Sequence, residues 1–423
     1  MKILIKNGYV VSMVSEPKKA DVVIEDGRIV FIGNSDGIAD KVIDATNKIV
    51  MPGLINAHTH VSMSLFRGYS DELALHDWLS KKIWPIEDEL TADDAYWASM
   101  ISGLEMIKSG TTTFNDLYFF EEETAKMAEQ LGMRAILSRC LFSEGEGMIK
   151  RAEEEEELYN NWHNKCDGRI KVCVGIHAPN TCPPDTIKKG IQLADKLGTP
   201  IHMHYLETKD EIDYMANTYL STVTEYLKKS GVFNYHVMLA HGVHINDIDI
   251  EVLKKISGGI VYNPISNMKL GSGFADVVKL RKNGINVAIG TDGQGSTNTL
   301  DMFEEIKLTA YLQKGLYYSA TAMTAEDILK MATIEGAKVL GIDSEVGSLE
   351  VGKKADVIII DLNKPHLCPV HDIYSTLAYS VNGADVETTI IDGKVVMENR
   401  QIQNVNETEI MNECERVKRR LFN

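Results

Sequence analysis

Between residues 49 and 293 the chain alternates eight short apolar runs with longer stretches of helical period. The runs are I-V-M-P-G-L-I-N-A-H (49–58), T-T-T-F-N-D (111–116), R-A-I-L-S-R-C (134–140), I-K-V-C-V-G-I-H-A (170–178), P-I-H-M-H-Y-L-E (200–207), V-M-L-A-H-G-V-H (237–244), G-I-V-Y-N-P (259–264) and N-V-A-I-G-T-D-G (286–293). Amphipathic stretches such as T-A-D-D-A-Y-W-A-S-M-I-S-G-L-E-M-I-K (91–108) separate them. Strand and helix alternating in this way make βα units around a parallel sheet, and eight units predict an α/β fold of the (β/α)8 barrel type. A barrel of this kind carries its chemistry where the loops leave the C-terminal ends of the strands.

The two chain ends have another texture. K-I-L-I-K-N-G, D-V-V-I-E-D-G-R-I-V-F-I-G and K-V-I-D-A-T-N-K-I-V read as short strands with glycine turns, and so do G-S-L-E-V-G-K-K-A-D-V-I-I-I-D and E-T-T-I-I-D-G-K-V-V near the end. D-G-R-I-V-F and D-G-K-V-V read as one hairpin used twice. A small β-sandwich domain composed of residues 1–50 and 347–423 is expected beside a barrel of residues 51–346.

Charge and cysteine usage narrow the partners. The 44 basic and 61 acidic residues leave a formal charge of −17, spread along the chain, which opposes nucleic-acid or anionic-membrane binding. The six cysteines form no C-x-x-C pair, so neither a zinc knuckle nor a disulfide framework is expected, and a reducing cytoplasm fits. The start M-K-I-L-I-K-N-G reads as a strand and not a signal peptide, and no later run spans a bilayer. The acidic run 153–157 and the basic stretch 415–420 read as solvated helix faces. G-S-G-F and D-G-Q-G-S lack the pattern of a phosphate loop.

The strand ends are polar: His58 and His60, Asn115 and Asp116, Arg139, His177, His204 and Glu207, His241 and His244, Asn263, and Asp292. Residues i and i+2 of a strand share a face, so His58 and His60 can offer two imidazoles to one cation. A cation that activates water needs three or four protein ligands, an open position and a nearby base. His58, His60 and His204 are the expected ligands, and Asp292 both a ligand and the acceptor of the water proton. His202, two residues deeper in its strand than His204, is expected to pack behind them. Such a donor set suits zinc, with iron or manganese also possible.

P-G-L-I-N-A-H-T-H, a histidine after each of the fifth and sixth strands, an aspartate after the eighth and G-S-L-E-V-G-K-K-A-D-V near the end resemble the metal-dependent amidohydrolase superfamily over almost the whole chain. Binuclear members place a carboxylated lysine or a carboxylate at the end of the fourth strand. Here that strand ends in G-I-H-A-P and its lysine, Lys171, lies at the other end, so the resemblance implies one metal. H-Y-L-E, His204 to Glu207, is similar to the H-x-x-E of adenosine-like, guanine and cytosine deaminases. By that likeness Glu207 protonates the ring nitrogen beside the attacked carbon, His241 orients the water, and Asp292 takes its proton and passes it to departing ammonia.

H-D-W-L-S-K-K-I-W-P-I-E-D-E-L and G-I-H-A-P resemble the 5-methylthioadenosine/S-adenosylhomocysteine deaminase group, which includes 5'-deoxyadenosine deaminases. The resemblance implies that Glu87 accepts hydrogen bonds from the ribose hydroxyls, that His177 meets a purine nitrogen, and that Trp78 walls the 5' substituent. Trp84 is expected to pack in a core. Arg139 and Arg151 are candidates for a carboxylate on that substituent. The implied partner is a small nucleoside, and a homo-oligomer is common in the superfamily. Two readings stand beside this one: a deaminase or chlorohydrolase of a free base or triazine, and a non-catalytic scaffold.

Overall fold

The computed structural model describes residues 1–422. Eighteen strands form two sheets. Strands β1 (Lys2–Val10), β2 (Lys18–Glu25), β3 (Arg28–Gly33), β4 (Lys41–Asp44) and β5 (Lys48–Pro52) open the chain. The barrel strands follow: β6 (Leu54–Thr59), β7 (Thr111–Tyr118), β8 (Arg134–Leu141), β9 (Ile170–Val172), β10 (Val174–Ile176), β11 (Ile201–Tyr205), β12 (His236–His241), β13 (Ser257–Tyr262) and β14 (Val287–Ile289). β15 (Val357–Asp361), β16 (Val386–Ile391), β17 (Lys394–Glu398) and β18 (Gln401–Ile402) return to the first sheet.

All pairings in the barrel sheet are parallel, in the order β14-β13-β12-β11-β10-β8-β7-β6, with β9 on β8. Its two ends meet: the Asp292 amide donates to the His58 carbonyl at 3.0 Å and the Thr291 amide to Asn56 Oδ1 at 3.0 Å. The two-residue period of the strands sorts the core. Ile136, Met238, Val261 and Ala288 belong to one buried cluster, whereas Leu137, Leu239, Ile260 and Ile289 beside them belong to the cluster shared with the surrounding helices. The run 170–178 is two short strands interrupted at Cys173.

The chain ends build the second sheet, in the order β18-β17-β16-β15-β5-β1-β2-β3 with β4 on β1. This continuous path encloses a core of its own that includes Ile3, Ile5, Val22, Ile24, Val357 and Ile359. Both D-G turns are tight hairpins with positive φ at both central residues, 48° and 80° at Asp26-Gly27 and 50° and 72° at Asp392-Gly393. The turns touch, and a Cβ on Gly393 would come within 2.6 Å of the Gly27 Cα.

The run 49–58, expected to be one barrel strand, is divided between the two sheets. β5 pairs with β1 and β15, and β6 pairs with β7. The switch falls at Gly53, where any Cβ would lie 2.1 Å from Thr112 Oγ1, so the chain crosses between layers only without a side chain. On the border strands Ile49 and Met51 face the barrel cluster and Val50 the small core, with Ile358 and Ile359 divided likewise.

Neither charged stretch is wholly solvated. Within the helix Gly145–Trp162, Glu155 is fully buried beside the backbone of Arg139 and Gly175, and burial raises its pKa well above the carboxylate range. Glu154 and Glu156 pair with Arg139 and Lys196. The helix Glu407–Leu421 packs on the helix Ala92–Lys108, burying Val417 and Leu421 and pairing Arg416 with Asp93 and Arg420 with Asp94. Among the described residues no helix is long and apolar enough to cross a membrane.

Candidate active site

At the C-terminal ends of the barrel strands a cavity of about 140 Å³ is lined by His60, His204, His241 and Asp292 together with Trp78, Glu87, Tyr118, His177 and Glu207. Backbone geometry at the strand ends is unusual. Leu206, His241 and Asp292 all have positive φ, at 49°, 79° and 67°. Non-glycine residues in that region cost about 1–3 kcal/mol each and persist where surrounding structure fixes them; here His241 and Asp292 line the cavity while Leu206 packs in the core.

Each imidazole of the cluster has one nitrogen committed elsewhere. His60 Nδ1 donates to the Leu117 carbonyl at 2.6 Å, and His204 Nδ1 to the His177 carbonyl at 2.7 Å. A carbonyl only accepts, so both protons sit on Nδ1 and both Nε2 atoms present lone pairs. Those two nitrogens are 3.3 Å apart. His58 Nδ1 lies 2.9 Å from His202 Nε2, and its own Nε2 is buried with no hydrogen-bond partner. Asp292 Oδ1 approaches His60 Nε2 at 3.1 Å and His58 Nε2 at 3.5 Å, while its Oδ2 accepts from Ser266 at 2.6 Å and Ser296 at 2.8 Å.

Lone pairs converging at such distances repel unless something positive lies among them. One proton on His60 would serve a single pair, and without a metal His60 responds in that way: burial lowers its pKa, but Asp292 overrides this and lifts it to about 9. A divalent cation would serve all four donors together. His58, His60 and His204 also lie within 4.8 Å of one another through their nitrogens, and the donor set fits a divalent cation. Burial lowers His58 to about 3, so it stays neutral as a ligand must.

Around this cluster Glu207 Oε2 is 3.7 Å from His241 Nε2, and burial together with the charge of Asp292 pushes Glu207 up to about 8. The Asn267 amide lies 2.8 Å from His241 Nδ1 and that of Asn263 3.3 Å from it, leaving Nε2 toward Glu207. In the same cavity Glu87 accepts from the Tyr118 hydroxyl, and burial raises it to about 7. His177 Nδ1 meets Thr181 Oγ1 at 2.6 Å, and burial lowers this ring to about 4.

A family model described as the Amidohydrolase family matches residues 49–396. The chain belongs to this family. Over 98% of both chains this amidohydrolase is 49% identical to a 5-methylthioadenosine/S-adenosylhomocysteine deaminase of Thermoanaerobacter pseudethanolicus. It is 47% identical to a 5'-deoxyadenosine deaminase of Methanosarcina acetivorans, over 97% of this chain and 96% of the relative. A zinc-bound adenosine deaminase of Xanthomonas campestris superposes with a TM-score of 0.96 at 30% identity, covering 99% of this chain and 98% of the other.

In this amidohydrolase most of the expected residues meet in one place. His202 packs behind His58, and Lys171 pairs with Glu345 at 2.7 Å, far from the cluster in sequence and away from the cavity lining. Arg139 and Arg151 stand apart from the cavity. They line a second one of about 960 Å³, which shares Trp84, Glu87, Phe119, His177 and Thr181 with the first. Arg139 Nε donates to Glu154 at 2.8 Å, and the Arg151 guanidinium stacks 3.8 Å from the Phe142 ring centroid. Trp84 departs from expectation: at 41% exposure it is not a core residue but part of the wall between the cavities. His244 does not line either cavity.

Three sets of residues were not anticipated from the sequence, and two of them carry no clear signal there. Ser266 and Ser296 orient Asp292 from short helices that follow β13 and β14. Asn267 orients His241. Tyr118 could have been found, because it is two residues beyond Asp116 on the same strand and so shares its face.

Proposed function

We propose that this amidohydrolase deaminates adenosine derivatives hydrolytically, giving the inosine analogue and ammonia, with one zinc ion bound by His58, His60, His204 and Asp292. The observation that carries the reading is that one cavity holds both Glu207, protonated at neutral pH beside the histidine cluster, and a second carboxyl, Glu87, suited to a vicinal diol. Identity of 47–49% to deaminases named for 5-methylthioadenosine, S-adenosylhomocysteine and 5'-deoxyadenosine supports the same substrate class. Zinc in the Xanthomonas campestris structure supports the choice of metal.

The bound cation would supply a water acidic enough to attack at neutral pH. The chain's own residues do the rest. Glu207, held up to about 8 by burial and the Asp292 charge, carries a proton at neutral pH and gives it to N1 of the purine as C6 becomes tetrahedral. Asp292, fixed through Oδ2 by two serines, keeps Oδ1 toward the histidine cluster, where it takes one water proton and delivers it to the amino group as the C6–N bond breaks. The proton left on the added oxygen returns to Glu207 as the carbonyl forms. His241 holds the oxygen added at C6. His177 meets the ring on its other edge, Trp78 closes the apolar wall, and Glu87 accepts from the ribose hydroxyls.

Beyond the 5' carbon the second cavity offers Arg139 and Arg151, which suit a substituent with a carboxylate. Incubating the zinc-loaded protein with 5'-deoxyadenosine, 5-methylthioadenosine, S-adenosylhomocysteine, adenosine, guanine and cytosine, and following ammonia, tests the reading. Turnover of the nucleosides is expected, and Glu87→Ala should lower their kcat/KM by about 10²-fold, the worth of a charge-assisted pair of hydrogen bonds. Turnover of free bases alone, indifferent to that substitution, would overturn the nucleoside assignment.

A further inference from the structure

The ribose end of the cavity contains a residue that the proposed function leaves without a task. Tyr118 is the last residue of β7, its ring is buried, and its hydroxyl donates to Oε1 of Glu87. Among the described residues this is the one hydrogen bond made by the Glu87 side chain. Glu87 itself ends the four-residue helix Trp84–Glu87, after a chain segment that crosses the mouth of the barrel. A glutamate there has several rotamers to lose, and among the described residues no other hydrogen bond or ion pair holds it in one.

Tyr118 is held from behind. Its backbone N–H donates to Glu121 Oε1 at 2.8 Å, and its ring packs with Phe119 at 4.7 Å and His60 at 5.9 Å between centroids. Two residues earlier on the strand, Asp116 Oδ1 accepts from the Val61 backbone N–H at 2.8 Å and from Thr59 Oγ1 at 2.5 Å. One rigid strand end therefore fixes both the turn that carries His60 and the phenol that meets Glu87.

Resting on the proposed nucleoside reading, we infer that Tyr118 is a positioning residue for ribose recognition: its phenol proton occupies one lone pair of Glu87 Oε1 and locks the carboxylate so that the other lone pairs receive the vicinal hydroxyls. A carboxylate has about four acceptor positions, so one phenol and two ribose hydroxyls are accommodated together. The bond also favours the ionised form of Glu87, which is the form that accepts.

The test compares adenosine with 2',3'-dideoxyadenosine as substrates of Tyr118→Phe, Glu87→Gln and the double variant of the zinc-loaded full chain. Tyr118→Phe removes one oxygen and keeps the ring. It should raise KM for adenosine about tenfold, leave KM for the dideoxy substrate unchanged, and leave kcat for both within about twofold. The double variant should be no worse than Glu87→Gln, because the phenol acts only through that carboxylate. Equal losses on both substrates, a fall in kcat alone, a double variant multiplicatively worse than Glu87→Gln, or a Tyr118→Phe chain that does not fold would each show that the phenol supports structure, and would overturn the inference. A wild-type protein inactive on both nucleosides would overturn the proposed function itself, an outcome distinct from an active wild type whose preference for adenosine Tyr118→Phe leaves unchanged.

Discussion

The inner and outer ends of the substrate space are built differently. At the inner end every polar group is pinned by a second one: His60 by a carbonyl, His204 by a carbonyl, His58 by His202, and Asp292 by two serines. At the outer end the polar groups come from β8 and the helix that follows it: Arg139 pairs with Glu154, whereas Arg151 lies over the Phe142 ring and its Nε has no hydrogen-bond partner among the described residues. The inner end can direct a proton to one atom, whereas the outer end can exchange partners. A fold built in this way keeps its reaction while its preference for the 5' group changes by loop substitutions.

The sharpest way to break the contrast is at Asp292. Asp292→Asn keeps the shape and the serine contacts but removes the proposed base and the proposed anionic metal donor. A fall in kcat of about 10³-fold or more is expected, in the range of a lost acid–base group combined with weakened metal binding. Steady-state rates and elemental analysis of metal per chain check it. Retained rate with full metal content would mean that another residue takes the proton.

Much of the inner end was legible because its signals are short and periodic. H-T-H and H-M-H each place two imidazoles on one strand face, and both fall at apolar-run ends, where a barrel puts its chemistry. The outer end and the supports were not legible, for a different reason. Gly53 divides one apolar run between two sheets because of a contact with Thr112, a residue 59 positions away in the numbering. Glu155 reads as one of five equivalent acidic residues, and only its place beside the backbone of Arg139 on β8 and Gly175 on β10 singles it out for burial. Trp84 reads as core because tryptophan usually is, yet the segment that carries it crosses the barrel mouth and not its interior. Period and composition report local faces, and these three depend on contacts between distant segments.

A smaller effect sharpens the inner end alone. Glu207→Gln should lower kcat by about 10²–10⁴-fold, the usual contribution of a positioned general acid. The wild-type pH profile carries the sign of its shift. As the proposed acid Glu207, raised to about 8, would act while protonated, so kcat/KM should fall as pH rises through about 8. As the proposed diol acceptor Glu87, raised to about 7 by burial, would accept while ionised, so kcat/KM should rise as pH approaches 7 from below. Rates measured from pH 5.5 to 9.5 should therefore trace a narrow bell, with the rising limb absent in Glu87→Gln. A rate that continued to climb above the Glu207 range would remove that residue as the acid.

The smallest effect belongs to the outer end and tests whether it is as adjustable as its geometry implies. Arg139 is mostly buried, and its Nε is bound to Glu154, so that carboxylate competes with any anionic substituent for the guanidinium. Burial and the neighbouring Arg139 charge both lower the pKa of Arg151, a sign that two cations share this space. Glu154→Gln removes the competing charge and retains a hydrogen-bonding side chain. The ratio of kcat/KM for S-adenosylhomocysteine to that for 5'-deoxyadenosine should rise about three- to tenfold, the scale of one partly buried ion pair. The absolute rate on 5'-deoxyadenosine should stay within about twofold, since its 5' methyl group reaches no charge. The gain should shrink in high salt, because added ions screen an exposed substituent's attraction to Arg139 more than they disturb the pinned inner end. If both substrates lost rate together, Glu154 would be holding the helix Gly145–Trp162 in place, and the outer end would be as rigid as the inner one.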